Sequence, residues 1–188
     1  MYVLQYPFGT AVSELSGDTV MTETQMHRIK VFGVDRRLVR IFGSKGSGLG
    51  MYEYPRGICM CGSTRVAIAD SGNARVQVVN IDNGKTEKII SGGVLKNPWD
   101  VAFGNNKFYV ADRGTNSIVI FDIHGDTLTT IRDGPDGEEI FDGLCRIEFH
   151  SHTKRIHISD LHNSRMHEIS LDDKYSKSRS VKDSECPW

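Results

Sequence analysis

Little in this chain marks it as an enzyme, a membrane protein or a secreted scaffold. It holds only four cysteines in 188 residues, and Cys59, Cys61, Cys145 and Cys186 have neither disulfide-framework nor zinc-finger spacing. No apolar run approaches the roughly 20 residues that a membrane-spanning helix needs. The N-terminal residues 1–7 have no basic segment followed by an apolar core, so they do not read as a signal peptide. There is no Asn-x-Ser/Thr site, and these absences together predict a reduced, cytoplasmic protein without a membrane anchor. Formal net charge is −1, so no global positive field draws the chain to nucleic acid, and any RNA contact must come from a local patch. Gly-x-Ser-x-Gly, Walker and His-Glu-x-x-His motifs are all missing. His150, His152, His157, His162 and His167 cluster late in the chain, but a strand reading sends His150 and His152 to one face and His162 to the other. No metal or cofactor is therefore expected, and the chain on its own is expected not to be an enzyme.

What is present is a pattern that returns four times. A Pro opens the copies at Pro7, Pro55 and Pro98, with Leu144 in its place in the fourth. An acidic residue closes the second apolar run at Glu23, Asp70, Asp112 and Asp160, and successive copies lie 42 to 48 residues apart. Three short apolar runs per period of this length are the signature of a β-propeller, one four-stranded blade per copy. The fold class is thus all-β, with repeats at about 1–47, 48–91, 92–134 and 135–171 and a polar, disordered tail over 172–188. The glycine-dense link 42–50 suits a tight turn between blades, because glycine adopts positive φ without a Cβ clash. In the second blade the strands are expected at 57–61, 65–69, 75–79 and 86–90.

The wording of the second copy carries a resemblance. Phe42-Gly43, Pro55-Arg56-Gly57-Ile58, Ala69-Asp70-Ser71-Gly72-Asn73 and Arg75-Val76-Gln77-Val78 resemble the NHL repeat, and most nearly the NHL domains of tripartite-motif (TRIM) proteins. That resemblance covers about residues 1–171. It implies a six-bladed disc of which four blades are visible, and links to RNA binding, translational repression and ubiquitin ligation. A RING, the module that recruits ubiquitin-charged enzymes, needs paired Cys and His ligands that this chain lacks, so any ligase activity belongs to a longer parent protein. Open blade edges on an incomplete disc would favour self-association.

Because strands alternate in direction, the residues after each Pro and after each acid should ring one mouth of the central channel. Phe8, Arg56, Trp99 and Cys145 form the first set, and Thr24, Ser71, Arg113 and Leu161 the second, with Tyr54, Lys96, Arg146 and His162 nearby. Mixed aromatic and cationic side chains are what single-stranded or hairpin RNA recognition uses, bases stacking on rings and phosphates meeting Arg or Lys. The same platform would also serve as a protein-docking face that selects substrates for a ligase. Trp99 equally suits a wedge between blades. The repeated acids are read as scaffold: Asp70 pairs with Arg75 and Asp160 with Arg165, whereas Ser117 stands at that position in the third copy and leaves Asp112 for turn amides or Arg113.

Overall fold

The computed structural model describes residues 4–132 and 140–171, together with the backbone of 178–181. Four antiparallel sheets of four strands succeed one another along the chain. The first contains β1 (Pro7–Val12), β2 (Thr19–Glu23), β3 (Arg28–Phe32) and β4 (Leu38–Phe42). The second contains β5 (Pro55–Met60), β6 (Arg65–Asp70), β7 (Arg75–Asn80) and β8 (Thr86–Ile90). The third contains β9 (Pro98–Gly104), β10 (Lys107–Asp112), β11 (Ser117–Asp122) and β12 (Thr127–Ile131). The fourth contains β13 (Leu144–His150), β14 (Arg155–Asp160), β15 (Arg165–Ser170) and β16 (Ser178–Val181). Each sheet is one blade, its strands hydrogen-bonded in sequence order, and the inner strands pack successively, β1 on β5, β5 on β9 and β9 on β13.

The second blade starts where its Pro predicts and its strands lie within two residues of the expected bounds. The fourth blade differs. Its outermost strand β16 pairs with β15, Ser178 opposite Ile169 and Val181 opposite Met166, inside the segment expected to be a disordered tail. The free edge of β15 supplies backbone donors and acceptors, and pairing with that edge needs no apolar pattern in the partner. The rest of the expected tail lies outside the described residues.

Period-two alternation sends neighbouring side chains of a strand to opposite neighbouring blades. Val66 and Ile68 of β6 face the first blade, in a core with Val20, Ile29 and Val31. Ala67 and Ala69 of the same strand face the third, packed with Phe108, Val110, Val119 and Phe121. Tyr109, Ala111, Ile118 and Ile120 then meet Ile147, Ile156 and Ile158 of the fourth blade. Each seam is a separate core, and β6, β7, β10 and β11 are apolar on both faces because each lies between two seams.

The repeated acid has one role in all four blades. It sits buried at the end of the second strand and accepts a backbone N–H from the link before its own blade: Glu23 from Gln5, Asp70 from Glu53, Asp112 from Lys96 and Asn97, Asp160 from Asp142. Four residues beyond each acid the chain turns through positive φ, at His27, Ala74, Asn116 and Ser164. A charged acceptor satisfying buried backbone donors explains why an acid recurs there.

Candidate functional site

The acid's remaining partners vary between blades. Asp70 takes Arg75 Nε at 2.8 Å, with Asn73 and Gln77 on the same oxygen. Arg75 also donates to the carbonyls of Ser47, Gly48 and Met51, so it fixes the glycine-rich link. Asp160 does not pair with Arg165 as expected. Its carboxylate takes Asn163 Nδ2 and His167 Nε2, at 2.8 and 3.1 Å, while Arg165 is exposed. His167 occupies the place of Gln77 and reaches the carboxylate from inside the blade, which leaves Arg165 pointing to solvent. Asp112, with Ser117 five residues on, turns to backbone amides and a hydroxyl: besides the N–H groups of Lys96 and Asn97 it accepts from Gly114 N–H and from the Thr115 hydroxyl.

The residue after the acid is a clasp between blades at the first two junctions. Thr24 Oγ1 donates to Pro55 O at 2.8 Å and Ser71 Oγ to Pro98 O at 2.5 Å, both from buried positions. These two side chains are therefore structural, and of the ring of ligand-facing residues expected after the acids Arg113 and the exposed Leu161 remain. Arg113 is too long to clasp and swings over the mouth instead.

There the guanidinium carbon of Arg113 lies 4.1 Å from the centre of the Trp99 ring, and that of Arg56 lies 3.9 Å from the same ring. Both cations thus stand within cation–π range of one indole. Arg56 is also 5.5 Å from the Phe8 ring, over which Arg146 stands at 4.9 Å. Phe8 meets Trp99 edge to face at 5.8 Å. The order Arg146, Phe8, Arg56, Trp99, Arg113 thus draws one or two side chains from every blade into a single cation–aromatic stack. Each such contact is worth about 0.5–2 kcal/mol, which offsets the repulsion between the cations.

Neighbouring groups aim the outer cations. Arg113 Nη2 lies 3.1 Å from His162 Nε2, and His162 Nδ1 lies 3.1 Å from Asp142 Oδ1. Arg146 Nη2 donates to Phe8 O at 2.9 Å, which ties the fourth blade to the first across the mouth. Arg56 differs: among the described residues its guanidinium donates to no acceptor, and its Nε is buried without a partner, as is Trp99 Nε1. Burial, and then the charge of Arg113, lower the pKa of Arg56.

Of the residues singled out in the sequence, the structure gathers Phe8, Arg56, Trp99, Arg113, Arg146 and His162. Tyr54 stands apart, its ring 4.8 Å from His27 and its N–H donating to His27 Nδ1. Lys96 is exposed and joins the scaffold through its backbone. Cys145 turns its thiol to Ser159 O. Two guanidiniums already stand against the Trp99 ring, so a base stacking there competes with them.

Asp100 and Asp142 were not found by sequence reasoning. Asp100 departs from the Pro-x-Gly start, standing where the first two blades have Gly9 and Gly57. It accepts from Val101 N–H and, across the seam, from Ile147 N–H. A Cβ on Gly57 would lie 1.8 Å from its Oδ1, so the glycine of one blade makes room for the carboxyl of the next. Burial raises the pKa of Asp100 to about 6. The carboxyl lines a cavity of about 590 Å³ beneath the mouth, together with Cys59, Glu148 and His157. Among the described residues no group of His, Cys, Asp or Glu is placed to hold a metal ion.

Residues 95–121, most of the third blade, match the NHL repeat model. The chain is a β-propeller whose third blade matches an NHL repeat. It is 25% identical over 118 residues to the human E3 ubiquitin-protein ligase NHLRC1, a match covering 62% of this chain and 29% of that protein. Among solved structures, hydrazine synthase of Kuenenia stuttgartiensis superposes with a TM-score of 0.73 at 14% identity, over 96% of this chain and 51% of that one. A chain of the nidogen/laminin complex superposes at 0.71 with 18% identity, over 94% and 63%. At these identities the superpositions speak to the fold alone. The chain spans less than a third of the curated relative and between half and two thirds of these two structures. An NHL-repeat propeller of this kind is a binding module.

Proposed function

We propose that this NHL propeller is a protein-docking module that receives an acidic segment of its partner at the mouth formed by Arg56, Trp99, Arg113 and Arg146, and so selects substrates for ubiquitin ligation. One observation carries the reading: three guanidiniums from three blades converge over two rings, and among the described residues the carboxylates set against this cluster are Asp142, engaged with His162, and the buried Asp100, 3.9 Å from Arg146. Such a mouth attracts negative charge and presents preformed forks for carboxylates. The similarity to a ubiquitin ligase supplies the biological context. The two guanidiniums already standing against Trp99 favour an acidic peptide over RNA, whose bases would compete with them for the ring.

The test titrates a labelled ten-residue glutamate-rich peptide and an oligouridylate of equal charge against the chain and against the variant Arg56→Ala, Trp99→Ala, Arg113→Ala. Peptide binding that weakens at least tenfold in the variant supports docking. A preference for the oligouridylate, with a salt dependence that reports several phosphates, assigns the mouth to RNA instead.

A further inference from the structure

We infer that the pair of guanidiniums clamped on Trp99 is a subsite for one phosphorylated side chain of the docked partner. The inference rests on the proposed docking role of the mouth and adds the chemistry of its ligand.

Arg56 carries it. A half-buried guanidinium normally spends its donors on a carboxylate or on carbonyls, as Arg75 does with four acceptors in the next seam. Arg56 is held by aromatic contact alone, and its Nε is buried without an acceptor. Unmet donors on a desolvated cation are costly, and an arriving anion satisfies them. The second cation on the same indole, Arg113, adds like charge at short range, which a dianion offsets more fully than a monoanion.

Geometry points the same way. One planar carboxylate engages one guanidinium fork, whereas a phosphate monoester has three terminal oxygens that accept from several directions and carries about −1.5 to −2 charge at pH 7. Arg56, Arg113 and Arg146 approach from the second, third and fourth blades. Arg113 meets a ring nitrogen of His162 and Arg146 a carbonyl, so neither is locked in an ion pair closer than the 3.9 Å between Arg146 and Asp100.

Trp99 is itself the reporter. The sequence has two tryptophans, and Trp188→Phe leaves Trp99 as the single fluorophore. Inorganic phosphate and O-phosphoserine, titrated at matched ionic strength, should each give a saturable change in Trp99 emission, with acetate at least tenfold weaker. Arg56→Ala and Arg113→Ala should each weaken the response at least tenfold. Arg56→Lys, which keeps the charge and loses the fork, should retain only part of it. Unchanged melting temperatures of these variants show that the fold is intact. Emission that does not respond to phosphate, that responds equally to acetate, or that responds unchanged without Arg56 overturns the subsite. If that happens while the glutamate-rich peptide still binds, the docking role stands and only the phosphate inference fails.

Discussion

The second and fourth blades share an acid at the end of the second strand and an arginine five residues on, yet the two arginines have different fates. In the second blade Arg75 joins Asp70 and three carbonyls of the preceding link, and only 13% of its side chain is exposed. In the fourth, His167 takes the carboxylate and Arg165 faces solvent. A repeated residue type is thus no guarantee of a repeated contact. The acid's bond to the link amide recurs in every blade, and everything around it was free to diverge.

The largest effect should come from removing the acid where its network is densest. Asp70→Ala strips the partner from Arg75, Gln77, Asn73 and the Glu53 amide at once. Breaking a buried, hydrogen-bonded charge pair costs about 3–5 kcal/mol. Urea denaturation should show a loss of that size, whereas a loss below about 1 kcal/mol would mean that the link is held by other contacts.

The next effect is one of pH. Folding raises the pKa of Asp100 from the ordinary carboxylate range to about 6, chiefly through burial. The folded chain therefore binds this proton more tightly than the unfolded chain does. The associated stability is complete below about pH 4 and disappears as pH rises through 6, an amount of about 2–3 kcal/mol. The wild type should lose that increment between pH 4 and 6 relative to Asp100→Asn in parallel melts. Identical slopes would remove Asp100 as the source.

These comparisons also show what the sequence makes legible. Blade spacing, strand starts and the acids were readable because a buried strand between two seams must be apolar on both sides and a buried link amide needs a charged acceptor. The mouth was readable in part, since strand direction alone brings Arg56, Trp99 and Arg113 to one end. That two guanidiniums stand against Trp99 depends on rotamers, which no spacing encodes. Asp100 did leave a signal, the loss of glycine from Pro-x-Gly, but its meaning requires the neighbouring Gly57 to be seen making room for it. The outer strand β16 left none, because pairing through the backbone alone needs no residue pattern.

The clasp positions sharpen the contrast further. Ser71→Ala leaves the Pro98 carbonyl without its donor at a buried seam, and should cost about 1–2 kcal/mol. Arg113→Ser puts the clasp residue type at the third junction, where no clasp exists. Stability should change by less than in Ser71→Ala, while the response of Trp99 to anions falls at least tenfold. A variant that melts far below the wild type would show that Arg113 is part of the scaffold.

The smallest effect is expected at Arg165, and it tests whether the repeat or the structure is the better guide. Read by repeat alone, Arg165→Ala should match Arg75→Ala. With Arg165 exposed and Asp160 already served by Asn163, His167 and the Asp142 amide, its loss should change stability by no more than about 0.5 kcal/mol, as at most surface positions. Arg75→Ala leaves a buried carboxylate short of its cation and three link carbonyls short of a donor, and should cost about 2–3 kcal/mol. Equal losses at the two sites would mean that Asp160 and Arg165 pair in solution, with His167 displaced from the carboxylate. His167→Gln separates the cases: glutamine, as at Gln77, donates to the acid without occupying the arginine's side of it, so the two blades should then behave alike only if Arg165 can reach Asp160.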